Sequence, residues 1–167
     1  MASDRKPLLI AVGNDHRGDD AIGPIVARRL RARVGDAARV VEVATEGTRL
    51  LDLWDREAFV IVVDAVTSGR PAGTVHRIEP AADGLPSSLA PTSTHGLSLA
   101  EAVTLGRTLG RMPRRLVVYG VEGARFHVGA PLSPEVAAAV PAVVDRIVDE
   151  LAARGPLRVP VGGRADA

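Results

Sequence analysis

The amino-acid sequence predicts an α/β fold: a three-layer, open twisted sheet, mostly parallel, with helices on both faces. Two observations carry that prediction. Short apolar runs of strand length alternate with segments of helical period, and Gly, Pro, Asn and Ser fall at the junctions between them. A chain of 167 residues with 46% hydrophobic content is also long enough to bury one sizeable core.

The elements follow in order. Residues 8–12, Leu8-Leu9-Ile10-Ala11-Val12, form a buried strand that breaks at Gly13-Asn14. A helix over 21–34 carries Pro24 in its first turn, where the missing N–H is harmless. A strand at 40–43, a helix at 48–55 and a strand at 59–63 complete a βαβαβ run. Ser68 to Gly73 read as a surface loop, 74–78 as a strand and 80–91 as a longer loop. The helix at 97–109 opens with Ser98-Leu99-Ala100-Glu101, the pattern of a reciprocal capping box. A strand at 116–119 precedes a long helix at 134–153, for which Ser133-Pro134-Glu135 supplies an N-cap and a proline at the first helical position. Residues 1–155 are expected to form a single domain. Residues 156–167, rich in Pro, Gly and Arg without periodicity, are expected to form a mobile tail.

Composition narrows the function. Twenty-one basic residues against 20 acidic ones give a formal net charge of +1, so no global field favours nucleic acid or an anionic membrane. The few aromatic residues, Trp54, Phe59, Tyr119 and Phe126, form no stacking platform for single strands. Arg28, Arg29, Arg31 and Arg33 read as the solvated face of a helix. With no cysteine, disulfides, a thiol nucleophile and thiolate metal sites are all excluded, leaving His, Asp and Glu as possible metal ligands. The apolar run near the N-terminus is too short for a signal-peptide core or a membrane span, and the expected location is the cytoplasm.

In open α/β sheets, ligands bind at the carboxyl ends of the strands, near a switch in strand order. Three candidate residues fall there: Asp20 beside Asp19 after the first strand, Asp64 directly after Val60-Ile61-Val62-Val63, and His95 just before a helix. Each has a plain alternative. An aspartate at 19 or 20 can cap the helix that follows, Asp64 can bond local backbone amides, and His95 can be an ordinary loop histidine. Capping accounts for one aspartate of the adjacent pair; two desolvated carboxylates call for a cation or several donors. As a set, Asp, Asp and His suit a divalent metal such as nickel, zinc or manganese. His16 lies at the rim of this set, His76 in a strand and His127 in a loop. The G-x-G-x-x-G and G-x-x-x-x-G-K-[ST] patterns are absent, so no nucleotide cofactor is expected, and neither G-x-S-x-G nor H-E-x-x-H occurs.

Several blocks recur in a recognisable order: Gly13-Asn14 with Gly18-Asp19-Asp20-Ala21-Ile22-Gly23; Val63-Asp64-Ala65; Ser68-Gly69 and Pro71-Ala72-Gly73-Thr74; Ser93-Thr94-His95-Gly96; Tyr119-Gly120-Val121-Glu122; and Leu132-Ser133-Pro134-Glu135-Val136. Their order and spacing resemble the hydrogenase maturation protease family, the nickel-dependent endopeptidases that trim a C-terminal extension from the large subunit of nickel-iron hydrogenases. The resemblance implies that Asp20, Asp64 and His95 are the metal-contacting and catalytic residues. It implies a hydrogenase large-subunit precursor as partner, with nickel presented by that substrate. Asp19 would then orient Asp20 or His95. One block departs from the family: an Asp-Gly-Gly-Thr turn after the second strand is replaced by Thr45-Glu46-Gly47-Thr48, a change that bears on substrate specificity. Two other readings of the same residues are a noncatalytic metal-dependent docking protein for a metalloenzyme precursor and a small metallohydrolase; loss of precursor mass on incubation separates them from the protease.

Overall fold

The computed structural model describes residues 5–44, 47–80, 84–86 and 98–154. Five strands, β1 (Leu8–Val12), β2 (Arg39–Val43), β3 (Val60–Val66), β4 (Val75–Ile78) and β5 (Leu116–Glu122), form one sheet in the order β2-β1-β3-β5-β4. The ladders β1–β2, β1–β3 and β3–β5 are parallel, and β4 runs antiparallel to β5 at the edge. Every residue of β1, β3 and β5 is buried, which is the burial that near-continuous apolar strands require when helices cover both faces.

Strand alternation sorts the side chains into two cores. Leu9, Ile61, Val63, Val117 and Tyr119 meet α1 (Ile22–Val34) and α4 (Pro134–Ala152) through Val26, Leu30, Val140, Val143 and Ile147. Leu8, Ile10, Val60, Val62, Leu116 and Val118 meet α2 (Gly47–Trp54) and α3 (Leu99–Thr108) through Leu50, Leu51, Trp54 and Val103. Each such side chain contributes about 1.5–3 kcal/mol on full burial, so the two layers dominate the fold's stability. The three-layer, mostly parallel architecture is the one anticipated from the alternation.

Two strands are longer than their apolar runs. β3 continues past Val63 to Val66, and β5 past Tyr119 to Glu122, because their ladder persists through Asp64↔Gly120, Ala65↔Val121 and Val66↔Glu122. Asp64 is therefore a strand residue and not the first residue of a loop. The chain lays β2 on one side of β1 and β3 on the other, so the switch in strand order lies between β1 and β3. The loop leaving β1 carries Asp20, and β3 itself carries Asp64, so both lie at that point. The expected tail, 156–167, and the loop residues 87–97 lie outside the described residues.

Candidate active site

The loop after β1 is shaped by one glycine. Gly13 has φ +146°, and a Cβ there would stand 2.0 Å from the carbonyl oxygen of Asp20, so only glycine lets the chain fold back on itself. In the space this leaves, the Asn14 amide donates to Asp20 Oδ2 at 3.0 Å. Asn14 Oδ1 in turn accepts from the His16 amide at 2.9 Å, closing an Asx-type turn. A short 3-10 turn, Gly18–Ala21, then leads into α1.

The adjacent aspartates part company in this turn. Asp19 is fully buried; its Oδ2 accepts from the Ala124 and Arg125 amides at 2.7 and 2.9 Å. Its Oδ1 accepts from the Ser133 amide at 2.7 Å, and the Ser133 hydroxyl lies 2.8 Å from both carboxylate oxygens. Burial pushes the Asp19 carboxyl upward, and the bonds from Ala124, Ser133 and Arg125 outweigh it, holding the group below its ordinary value. Neither aspartate caps a helix: α1 has Ala21 at its N-cap with no side-chain bond. The capping alternative is thus corrected. Asp19 does not reach Asp20 with its side chain: its oxygens are occupied by the loop between β5 and α4, so it positions Asp20 only through the backbone the two share, and its expected relation to His95 lies outside the described residues.

Asp20 and Asp64 face the opposite situation. They are 6% and 5% exposed, yet among the described residues each has one backbone N–H to offset its burial, from Asn14 and Ala65 respectively. Burial raises the Asp20 carboxyl, against the Asn14 amide and the charge of Arg17. Burial, then the negative charge of Asp20, drive Asp64 well above the usual carboxylate range. Two mutually repelling, under-solvated carboxylates at a sheet's switch point suit a divalent cation with oxygen and nitrogen ligands. His95 lies outside the described residues, and among the described residues no group of three metal-ligating side chains forms.

The structure adds residues to which sequence reasoning gave no role. Glu122, the last residue of β5, is 1% exposed and accepts from the Ser68 amide at 3.0 Å and from the Ser68 hydroxyl. His76, placed in β4 as anticipated, has Nε2 2.8 Å from Glu122 Oε1. Burial pushes Glu122 up, and the Ser68 and His76 bonds bring it below its ordinary value. An acid closing an otherwise apolar run, as Asp64 interrupts β3, was the available signal. Ser68 bonds the carboxylate and not the imidazole, so the trio is not a nucleophile with its base. His16 offers its backbone carbonyl to the Gly129 amide at 2.8 Å, tying the β1–α1 loop to the β5–α4 loop. The turn Thr45-Glu46 lies outside the described residues.

A doubly covered, mostly parallel sheet with two buried, sparsely hydrogen-bonded acidic groups at its switch point defines the class: an α/β protein with a candidate site at the carboxyl edge of its sheet. Comparison with known proteins gives the family. A family model described as hydrogenase maturation protease matches residues 24–150. The Hydrogenase 2 maturation protease of Escherichia coli (strain K12) is 28% identical over 160 residues, covering 92% of this chain and 94% of its own. The hydrogenase expression/formation protein HupD of Thiocapsa roseopersicina is 26% identical over 160 residues, covering 93% and 72%. Among solved structures, the hydrogenase maturating endopeptidase HybD from E. coli shares the fold with a TM-score of 0.77 at 24% identity over 90% of this chain and 94% of its own. A hydrogenase 2 maturation peptidase from a Thaumarchaeota archaeon gives 0.65 at 28% identity, over 88% and 98%. The chain belongs to the hydrogenase maturation protease family, and it is an endopeptidase, a hydrolase of peptide bonds.

Proposed function

We propose that this endopeptidase removes the C-terminal extension of a nickel-loaded nickel-iron hydrogenase large-subunit precursor, and that Asp20, Asp64 and His95 engage the nickel carried by that substrate. The observation that carries the reading is the Asp20 and Asp64 pair, two acidic groups buried within electrostatic reach of each other with one described backbone amide each. An arriving divalent cation supplies the balancing charge. Asp64 then gives up the proton that burial and Asp20 favour, since a carboxylate must be ionised to act as a ligand. The Asn14 amide keeps Asp20 Oδ2 fixed, which would orient the carboxylate toward an incoming metal. Held by Asp20, Asp64 and His95, the substrate's nickel would supply Lewis-acid chemistry at the scissile peptide bond. The reaction takes place in the cytoplasm; among the described residues no helix is long and apolar enough to cross a membrane.

The test is the intact mass of a nickel-loaded large-subunit precursor before and after incubation. The wild-type chain is expected to release one discrete C-terminal peptide, and Asp20→Asn, Asp64→Asn and His95→Ala to lose about a hundredfold or more in rate, as removal of a group acting in the transition state does. Processing at the wild-type rate by any of the three removes that residue from the site.

A further inference from the structure

The loop joining β3 to β4 leaves the sheet's carboxyl edge two residues beyond Asp64 and is gripped at both ends by one residue. At its entry, the Ser68 amide and hydroxyl donate to the Glu122 carboxylate. At its exit, the Gly73 amide donates to the Glu122 carbonyl at 2.8 Å, and the Glu122 amide donates to the Thr74 carbonyl at 2.9 Å. Between these feet, Gly69, Arg70 and Pro71 stand exposed. His76 meets the same carboxylate at 2.8 Å from the edge strand, so Glu122 cannot swing away without abandoning three donors.

The placement beside the candidate site follows from register. Asp64 pairs with Gly120, and Gly120 pairs with His76, so all three lie on the face of the sheet that carries α2 and α3. Glu122, two residues along β5, lies on that face as well. Gly120 has no side chain, and the methyls of Val66 lie 3.0 and 3.2 Å from where its Cβ would be. The row from Asp64 to His76 is therefore packed, and the loop's entry at Ser68 is anchored to it, while its exit at Ala72 and Gly73 packs on the opposite face against α4.

We infer that Glu122 is a positioning residue for the peptidase reaction: with His76 fixing its orientation, it holds the entry of the β3–β4 loop, at Ser68, as a rigid wall on the Asp64 face against which the substrate peptide docks. The inference rests on the proposed precursor processing for its substrate. A wall acts on binding more than on the chemical step. Glu122→Ala is expected to raise KM for the precursor about tenfold with kcat within about threefold, the pattern of lost uniform binding. Glu122→Gln keeps an acceptor for Ser68 and is expected to return KM to within about threefold of wild type. Amide exchange at Ser68 should quicken about tenfold or more in Glu122→Ala, since its acceptor is gone. If that variant does not fold, His76→Ala, at a partly exposed position, is judged by the same KM and exchange measurements. KM within twofold of wild type, or a fall in kcat at constant KM, overturns the wall. A wild-type chain that leaves the precursor uncut overturns the underlying reading and the wall with it, and Ser68 exchange then shows the grip alone.

Discussion

Asp19 and Ser133, 114 positions apart, are joined by three contacts: the Ser133 amide donates to Oδ1 at 2.7 Å, and its hydroxyl sits 2.8 Å from each carboxylate oxygen. Ser133 occupies the N-cap of α4 but makes no capping bond to its own helix. A fully buried carboxylate needs donors more than a helix end needs a cap. Pro134 at the start of α4 reduces the demand further, having no N–H to satisfy. The contact fastens the β1–α1 loop, and so Asp20, to the start of the last helix.

Asp19→Asn should cost about 3 kcal/mol, because one oxygen becomes an NH2 facing backbone donors in a buried site. Asp19 is held below its ordinary value of 3.8, so its stabilising contribution is complete above that value and is lost as pH falls through the folded-state value. Urea denaturation of both proteins should show a gap that is wide at neutral pH and closes on acidification. A gap independent of pH would contradict this account.

The reverse is expected of Asp64→Asn. The Asp64 carboxyl is raised by burial and by Asp20, so its contribution is fully present below 3.8 and is lost as pH rises through the folded-state value. Above that value the substitution should stabilise the protein by about 1–3 kcal/mol, the scale of relieving a poorly solvated buried group, while precursor processing collapses. The same denaturation series reads it, and a variant less stable than wild type at high pH would rule it out.

Gly13→Ala should damage the site beyond its effect on folding. The new methyl would meet the Asp20 carbonyl oxygen at 2.0 Å and Pro24 Cδ at 3.2 Å, at a φ that alanine rarely adopts. A loss of about 2–3 kcal/mol is expected. Processing measured well below the variant's melting temperature should still be reduced at least about tenfold, since Asp20 must shift. Full activity in the folded variant would show that Asp20 tolerates the displacement.

Tyr119→Phe provides the contrasting case. The Tyr119 hydroxyl donates to Glu150 Oε2 at 2.6 Å, and burial with this bond pushes the phenol up to about 12. Tyr119 lies on the α1 and α4 face, opposite Asp64. Its removal should cost about 1 kcal/mol in thermal or urea unfolding and leave KM and kcat for the precursor unchanged. A kinetic change would connect the two faces of the sheet in a way the packing does not.

Local chemistry was legible in the amino-acid order. The capping box at α3 is present as read, with the Glu101 amide donating to Ser98 Oγ at 3.0 Å and the Ser98 amide to Glu101 Oε2 at 2.7 Å. Arg28, Arg29, Arg31 and Arg33 lie on an exposed helix face, three of them paired with Asp15, Glu42 and Asp145. Asp20 and Asp64 could be placed at the sheet's edge because strand ends leave a signal in composition. What could not be read depends on distant partners. Asp19 takes its donors from residues 105 to 114 positions away. Glu122 meets His76 only because β4 turns antiparallel and sets His76 opposite Gly120, a register that no local pattern encodes.

The sheet order has a consequence for synthesis. β5 lies between β3 and β4 although it follows both along the chain, so among the described strands β4's partner does not exist until residues 116–122 have been made. A growing chain that has passed β3 holds Asp20 and Asp64, but Ala124, Arg125 and Ser133, which fasten the first loop, do not yet exist. Closing contacts across more than a hundred residues is a late event in folding. The first loop, and with it the placement of Asp20 against Asp64, is therefore completed only as the last helix docks.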